Sequence, residues 1–299
     1  MLQCIKTEIK TLFSMKSILI CFLLMIVMSA YFMFSQYSNT AKNFEVRNAY
    51  IEETTEMFPD ESQEEFDAWI AEEDETFITQ KAAIYEALSP QMGINNAFAT
   101  LLGFGTIIFP MLAALFIGNE HSSFRTIKAK ITYCSLPKVV VSKLLALIIG
   151  LLGFFVVYSL VSLTLVHFSW NYFLVDYFKD SIYESDVTVS YLKIFGVTIF
   201  VLMFYAIISF FISFVSKSSI MGIIAAFCFT FISFPTKYDH NNMFSNLLIK
   251  TFFTNGESRI SFPEPALDSL SAESSFIILF LIALVFVAAT VVVSRRQRN

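Results

Sequence analysis

The sequence LLALIIGLLGFFVVYSLVSLTLVHF at residues 144–168 contains no Asp, Glu, Lys or Arg. An α-helix needs about 20 apolar residues to cross the hydrocarbon core of a bilayer, and this stretch is long enough to do so. A charged side chain at the centre of such a helix would cost about 2.5–3.5 kcal/mol. The stretch therefore indicates a membrane-spanning helix.

Other stretches of the chain share this apolar composition and the lack of Asp, Glu, Lys and Arg. They lie at 17–36, 97–118, 194–215, 219–235 and 275–293, and the one at 219–235 is the shortest. The whole chain is 56% hydrophobic. Together these features predict an all-α polytopic membrane protein with six transmembrane helices. Ion-coupled pumps usually keep ionisable groups inside the membrane, so the predicted spans indicate an energy source elsewhere.

The charged residues are sorted between the two sides of the predicted membrane. With a cytoplasmic N-terminus, 12 of the 20 Lys and Arg lie in cytoplasmic segments, together with only Glu8 and Glu120 of the 25 acidic residues. Segments rich in Lys and Arg face the cytoplasm. Both termini are therefore predicted to be cytoplasmic, in a protein of the cell membrane. The first span is expected to stay uncleaved, because Val27-Met28-Ser29 is a poor cleavage site.

The N-terminal residues 1–16 are predicted to form an amphipathic helix at the membrane interface. Lys6 and Lys10 lie on its polar face, where they can meet anionic lipid headgroups. The apolar face is formed by residues at helical spacing, namely Leu2, Ile5, Ile9, Leu12 and Phe13. A plain basic flank is the alternative interpretation of this segment.

Residues 37–96 are predicted to form a small helical extracellular insertion. Between 37 and 92 there are 14 acidic and three basic residues. Ser62-x-x-Glu65 is a capping-box pattern typical of a helix start. Two apolar faces follow at helical spacing, and they are expected to pack as a hairpin or against a partner. Their residues are Phe66, Trp69 and Ile70 in the first, and Phe77, Ile84, Tyr85 and Leu88 in the second.

The remaining segments complete the predicted layout. Residues 119–143 are a basic cytoplasmic loop, 169–193 and 236–274 are outer loops, and 294–299 are a basic cytoplasmic tail. Apolar residues between Met243 and Phe253 predict a re-entrant helix in the second outer loop. Aromatic residues at the predicted outer boundaries are expected to form an interfacial belt. They are Tyr37, Trp170, Tyr172 and Tyr191.

Sequence patterns of common catalytic and metal sites are missing. There is no G-x-x-x-x-G-K-[ST] phosphate loop, no H-E-x-x-H and no G-x-S-x-G. His121, His167 and His240 fall in different segments, so no metal site is expected. The chain is not expected to be an enzyme, to hold a cofactor of its own or to bind nucleic acid.

Polar residues inside the predicted spans are candidates for the lining of a translocation path. These residues are Thr100, Thr106, Ser159, Ser162, Tyr205 and Ser209. The serines have the alternative role of satisfying backbone carbonyls or joining neighbouring helices.

The cytoplasmic loop contains a further helical pattern. Phe124, Ile127, Ile131 and Cys134 recur at helical spacing, and Pro137 is well placed to open the third spanning helix. The pattern predicts a short helix at about 122–134, which either lies among lipid headgroups or contacts a cytoplasmic partner.

The order of these segments resembles that of the permease subunits of type-2 ABC exporters, which share an ABCG-like fold. The resemblance covers nearly the whole chain, and three stretches of the cytoplasmic loop carry it best. They are Glu120-His121-Ser122-Ser123-Phe124-Arg125-Thr126-Ile127-Lys128, then Leu136-Pro137-Lys138, then Ser142-Lys143-Leu144. The long acidic loop looks like that of bacterial permeases that export peptides or confer immunity to them.

The resemblance implies how the chain would work. A coupling helix carrying Glu120, Phe124, Arg125, Ile127 and Lys128 would dock on a cytoplasmic ABC ATPase. Two ATPase copies, which bind ATP, would serve two permeases that are identical or paralogous. With the apolar spans and the acidic insertion, the expected substrate is an amphipathic or cationic peptide or a lipid-like compound. Two alternatives remain: a sensory subunit whose acidic insertion detects a cationic ligand, and an ATP-independent channel or carrier.

The predicted topology can be tested by cysteine labelling in intact cells. Single cysteines replace Ser62 or Ser123 in a chain whose four native cysteines have been changed to Ser. A membrane-impermeant maleimide should label the cysteine at 62 and leave the one at 123 unlabelled until the membrane is opened, because basic loops stay in the cytoplasm. The reverse pattern would invert the topology.

Overall fold

The structure is a computed structural model, and it describes residues 2–57, 78–122, 135–179, 190–232, 236, 238–252 and 270–296. These residues contain helices and no β-strand. In chain order the helices are α1 (Leu2–Ser14), α2 (Lys16–Met57), α3 (78–88), α4 (Gly93–Ser122), α5 (Leu136–Phe178), α6 (Tyr191–Ser216), α7 (Ser219–Phe231), α8 (His240–Phe252) and α9 (Ala272–Arg296).

Five of these helices are long and apolar enough to cross a membrane, namely α2, α4, α5, α6 and α9. The chain is therefore a helical, multi-pass membrane protein. The predicted span at 219–235 is different, since α7 has only 13 residues. At 1.5 Å per residue it is about 20 Å long, whereas the hydrocarbon core is about 30 Å thick. A crossing at this place needs more than α7.

Two helices are longer than a bilayer requires. With 42 residues, α2 is about 63 Å long, and it continues without a break through the predicted end of the first span at residue 36. With 43 residues, α5 is of similar length and contains a π-helical turn at Trp170–Leu174. The acidic insertion thus begins as a continuation of α2. The capping-box pattern at 62–65 and the apolar residues Phe66, Trp69, Ile70 and Phe77 lie outside the described residues.

The chain forms two compact units, called here the large unit and the small unit. The large unit comprises Met1–Val27, Phe98–Ser159 and Ser190–Asn299. Aromatic packing holds α2, α4 and α5 together within it, because the ring of Phe154 lies between those of Phe22 and Phe109, at centroid distances of 4.5 and 5.5 Å.

A tight turn joins α6 to α7 in the large unit. Lys217 adopts a left-handed conformation with φ 55° and ends α6, and the backbone N–H of Ser218 then donates to the carbonyl of Ser213 at 3.2 Å. Close packing follows at Gly222, where a Cβ atom would lie 2.9 Å from the Ser209 carbonyl and 3.0 Å from the Ala114 side chain. Only glycine lets α7 approach both α6 and α4 so closely.

The small unit comprises Met28–Ala97 and Leu160–Val189. Its core is aromatic: Trp170 stacks on Phe178 at a centroid distance of 5.1 Å, and Tyr85 meets the Trp170 ring edge-on at 5.6 Å. Ile84 and Leu88 are buried in the same core. Ile84 and Leu88 of the second predicted apolar face therefore pack on residues of α2 and α5 within the small unit.

Two predicted members of the interfacial aromatic belt are instead core residues of the small unit. Only 1% of Tyr37 and 7% of Trp170 are exposed. The Tyr37 hydroxyl donates to the Leu88 carbonyl at 2.8 Å, and the Asn96 amide donates to the Ala87 carbonyl at 2.8 Å. Both carbonyls lie at the C-terminal end of α3, where a helix lacks its own donors. Side chains from α2 and α4 thus cap α3.

The Tyr37 hydrogen bond can be tested by Tyr37→Phe. Loss of the donor should lower the stability of the small unit by about 1–3 kcal/mol, because a buried carbonyl is left without its partner. Trp170 reports this unfolding by its fluorescence once the second tryptophan, Trp69, is replaced by Phe. Tyr31→Phe is the matched control on the same helix, since Tyr31 is 69% exposed. Equal melting curves for both variants would contradict the assigned role of Tyr37.

Candidate functional site

The two short helices α7 and α8 follow one another along the long helix α6. Gly222 of α7 lies at the level of Ser209, whose hydroxyl is 3.0 Å from the Gly222 carbonyl. On α8, the ring of Phe244 packs on Phe204 at 5.0 Å, and the Lys250 carbonyl accepts from Lys193 at 3.2 Å. In series, α7 and α8 therefore run antiparallel to α6 and cover most of its length.

Between them the helix is interrupted: α7 ends at Phe231 and α8 begins at His240, and the described residues in between are not helical. A break of this kind leaves the last carbonyls of α7 without helical donors. Side chains at the start of α8 contact them: His240 Nε2 contacts the Phe229 carbonyl, and the Asn241 amide donates to the Ile232 carbonyl at 3.2 Å. The first turn of α8 thus caps the end of α7.

The break also holds a buried pair of ionisable side chains. Asp239 Oδ1 lies 3.1 Å from His240 Nδ1, and the two side chains are 0% and 10% exposed. The Tyr205 hydroxyl donates to Asn241 Oδ1 at 3.3 Å, and the Tyr205 ring is 6.3 Å from the imidazole. These residues are called here the break cluster: Tyr205, Phe229, Asp239, His240 and Asn241.

Helix dipoles place opposite partial charges on the two sides of the break cluster. The carbonyl end of α7 carries partial negative charge and faces the imidazole, whereas the amino end of α8 carries partial positive charge and follows Asp239 directly.

The sequence pattern does not predict the break cluster, since His240 falls in a predicted outer loop, apart from the other two histidines. A signal was present, because Asp239-His240-Asn241-Asn242 is a polar run between two apolar helical patterns. A polar run of this length is typical of a turn, and it does not show that α8 continues along α6. Among the described residues, no group of three or more His, Cys, Asp and Glu is placed to hold a metal ion.

Three of the predicted path residues come together where α4, α6 and α7 meet. Ser209 donates to the Pro110 carbonyl at 2.8 Å as well as facing Gly222, and Tyr205 lies one turn away on α6. Pro110 has no N–H, so the Thr106 carbonyl loses its helical donor. The hydroxyl of Thr230 on α7 is 3.5 Å from that carbonyl.

The other predicted path residues lie elsewhere. Ser159 donates to the carbonyl of Phe155 on its own helix at 2.7 Å, and Thr100 is half-buried on α4. Ser162 is buried in the small unit. A role in a translocation path stays a prediction for all six residues, and for Ser209 and Ser159 the structure also supplies the alternative role of bonding to backbone carbonyls.

The predicted coupling residues are mostly outside the described part of the chain. Glu120 belongs to the last turn of α4, but its side chain is not among those described. Phe124, Arg125, Ile127 and Lys128 lie in the stretch 123–134, which is likewise outside. Their contact with an ATPase stays a prediction.

A second buried ion pair holds the N-terminal helix. Glu8 on α1 lies 3.0 Å from Lys143 Nζ on α5, with the two side chains 3% and 2% exposed. The Lys143 ammonium also sits 4.2 Å from the centre of the Phe116 ring on α4, a cation–π contact. Three helices therefore meet at one ammonium group.

This pair adds a buried acidic residue to α1. Leu12 is buried, and it packs on Gly150 so closely that a Cβ there would collide with it. Leu2 and Phe13, which were expected on the same apolar face, are 85% and 42% exposed. Glu8 takes the buried position because Lys143 offers it an opposite charge, and charge spacing on α1 alone does not reveal that partner.

Comparisons with protein-family models, with curated proteins and with solved structures found no match to this chain. The resemblance to exporter permeases therefore rests on the order of segments and on the residues of the cytoplasmic loop.

The Glu8–Lys143 pair can be tested with single and double substitutions. Glu8→Gln should destabilise the protein in detergent by about 3–5 kcal/mol, since it removes one charge from a buried ion pair. The double variant Glu8→Leu with Lys143→Met should recover most of that loss, because apolar replacements of a buried pair are often neutral. Unfolding is followed by circular dichroism.

The control for this pair is Glu273→Gln. Glu273 pairs with Lys250 at the surface, with side chains 65% and 55% exposed, and exposed pairs contribute little. No measurable change is expected for this variant. A Glu8→Gln variant as stable as the control would show that α1 does not depend on the pair.

Proposed function

We propose that the chain is the permease subunit of an ATP-driven exporter, in which a separate cytoplasmic ABC ATPase supplies the energy. In this proposal the protein crosses the cell membrane of a bacterium six times, with both termini in the cytoplasm, and α7 and α8 together form the fifth crossing as a discontinuous helix. The observation that carries the proposal is the anchoring of α1 to α4 and α5 through Glu8, Lys143 and Phe116.

The anchoring supports coupling for a mechanical reason. Phe116 lies six residues before the end of α4 and Lys143 seven residues after the start of α5, so these two residues flank the predicted coupling segment. An ATPase bound to this segment would move the ends of α4 and α5. Because α1 is tied to the same ammonium group, and α4 also packs on α6 and α7, the movement would reach much of the large unit.

The substrate class follows from the resemblance and from charge. We infer an amphipathic or cationic peptide, or a lipid-like compound, taken from or delivered to the apolar interior of the membrane. The 14 acidic residues between 37 and 92 create a negative field that raises the local concentration of cationic molecules. Two copies of the ATPase and a second permease, identical or paralogous, complete the proposed complex.

The break cluster favours a second candidate, a proton-coupled carrier. Buried ionisable residues at a helix break are typical of transporters that bind a coupling ion in the membrane. The six predicted spans contain no Asp, Glu, Lys or Arg. If α8 is part of a span, however, the ionisable residues of the break cluster also lie in that span. This candidate needs no ATPase, and a proton gradient would drive it.

An ATPase partner decides between the two candidates. Tagged chain is purified from the membranes of its source cells, and the proteins that accompany it are identified by mass spectrometry. The exporter proposal expects an ABC ATPase in the complex, ATP hydrolysis by the complex, and none by the chain alone. Phe124→Ala should release the ATPase at least about tenfold more readily, because a few apolar anchors dominate an interface, whereas Lys130→Ala should not.

A second experiment defines the result that would favour the proton-coupled carrier. Proteoliposomes containing only this chain are given a labelled cationic amphipathic peptide and a pH gradient, without ATP. Peptide movement under these conditions, together with the absence of an ATPase from the purified protein, would replace the exporter by the carrier.

A further inference from the structure

A lysine occupies the turn between α6 and α7 in a backbone conformation that favours glycine. Lys217 has φ 55° and ψ 30°, and among the described residues it is the only one other than glycine with a positive φ. The Cβ atom of an L-amino acid makes this left-handed conformation costly, so helices that end in this way usually carry Gly or Asn there. The turn thus keeps a lysine at a position where glycine would be more stable.

The shape of this turn is fixed by the residues on both sides of Lys217. Before it, the Ser216 hydroxyl donates to the Ile212 carbonyl at 2.7 Å. After it, Ser219 lies against α4 so closely that a Cβ atom on Gly118 would be 2.6 Å from the Ser219 backbone nitrogen. The neighbouring residues therefore impose the left-handed conformation, whichever side chain stands at position 217.

The ammonium group of Lys217 is available to a ligand. The side chain is exposed, and within the described part of the chain it makes no ion pair or hydrogen bond. Membrane orientation alone does not require a lysine here, because a lysine at the exposed neighbour Ser216 would contribute equally to the basic side of the membrane. That position would carry the charge without a left-handed backbone.

Two further cations lie at the same end of the helices as Lys217. Helices α6 and α9 run side by side in the same direction, because two ring pairs along them have centroid distances of 4.7 and 5.3 Å, namely Phe200 with Phe276 and Phe211 with Phe286. The last turns of the two helices therefore lie at one end, which brings Arg295 and Arg296 near the level of Lys217. Both arginines are exposed.

No described carboxylate neutralises this end of the large unit. The acidic side chains that the structure describes in this unit are Glu8, Asp239 and Glu273. Glu8 is buried against Lys143, Asp239 is buried in the break cluster, and Glu273 pairs with Lys250 in the first turn of α9. The three cations are thus suited to an anion from outside the chain.

An exposed apolar surface begins directly beside Lys217. Val215 precedes the turn, and the exposed face of α7 continues from it through Ile220, Met221, Ile224, Phe227 and Phe231. With 13 residues, α7 is about 20 Å long, which exceeds the roughly 15 Å of one leaflet of the hydrocarbon core. A long apolar face that ends at an unpaired ammonium group matches a phospholipid in both shape and charge.

We propose that Lys217 binds the headgroup phosphate of an anionic phospholipid, one acyl chain of which lies on the exposed face of α7. Arg295 and Arg296 add positive charge at the same end. In the topology proposed above this end faces the cytoplasm, where the membrane surface is negatively charged by anionic lipids. The proposal goes beyond the transport activity, because the lipid would bind to an exporter or to a carrier alike.

Lipid binding can be measured by native mass spectrometry of the purified full-length chain in detergent with added phosphatidylglycerol. Lys217→Gly should weaken binding of this lipid roughly fivefold, the factor that one cation contributes at an anionic surface. Binding of phosphatidylcholine, whose headgroup carries its own cation, should not change. Without lipid, the same variant should melt about 2–4 °C higher, because glycine relieves the left-handed conformation.

Two variants and one competitor serve as controls. Lys217→Arg keeps the charge and should bind phosphatidylglycerol as the natural chain does. Lys193→Gln is the matched control at the other end of α6, because Lys193 is also exposed but its ammonium group already donates to the Lys250 carbonyl at 3.2 Å. This variant should bind the lipid normally. Inorganic phosphate at the lipid concentration should not displace the lipid, since it has no acyl chain.

Undiminished phosphatidylglycerol binding by Lys217→Gly would overturn the proposal, and so would an equal loss in Lys193→Gln or displacement by inorganic phosphate.

A second copy of the chain on α7 is excluded by a separate experiment. Cys228 is exposed on this helix, and the other three cysteines are changed to Ser. Oxidation of membranes with copper phenanthroline should leave the chain monomeric, whereas a disulfide through Cys228 in most chains would show that another copy covers this face. None of these results depends on an ATPase or on transport, so failure of the lipid site is distinct from failure of the proposed function.

Discussion

A backbone carbonyl that is buried in a membrane protein has no water to bond with, so a donor has to come from the protein. In this chain the constraint applies most strongly to the carbonyls at places where helices end or are interrupted. At the end of α3 the donors are Tyr37 and Asn96, and at the end of α7 they are His240 and Asn241. In both places, side chains from another helix bond to carbonyls that have no donor within their own helix.

The same constraint explains the polar centre between α4, α6 and α7. Pro110 interrupts the hydrogen-bond ladder of α4 in the middle of an apolar helix. Ser209 and Thr230 approach the carbonyls around this point from α6 and α7, and Gly222 removes the side chain that would keep α7 away. Residues that are polar enough to line a path are thus also residues that hold the helices together.

Buried charge follows a different rule, because a charge needs a partner of opposite sign rather than any donor. Removing two charged groups from water costs several kcal/mol for each, and the pair recovers this only when its geometry is good. Glu8 and Lys143 form a buried pair, and the face of Phe116 adds a third contact to the ammonium.

The sequence alone determined the class of the protein, because charge-free apolar stretches of about 20 residues have few stable solutions other than membrane helices. It also located the helix α1, helix within the described residues 37–57 and 78–88, and a helix near 243–253, since each depends on local periodicity. The tertiary structure decided which side chains meet. The burial of Glu8, the place of Trp170 in the small unit and the contact of His240 with Phe229 all depend on residues distant in the chain. Periodicity identifies the face of a helix that carries a residue, but the partner of that face is decided only when the helices pack together.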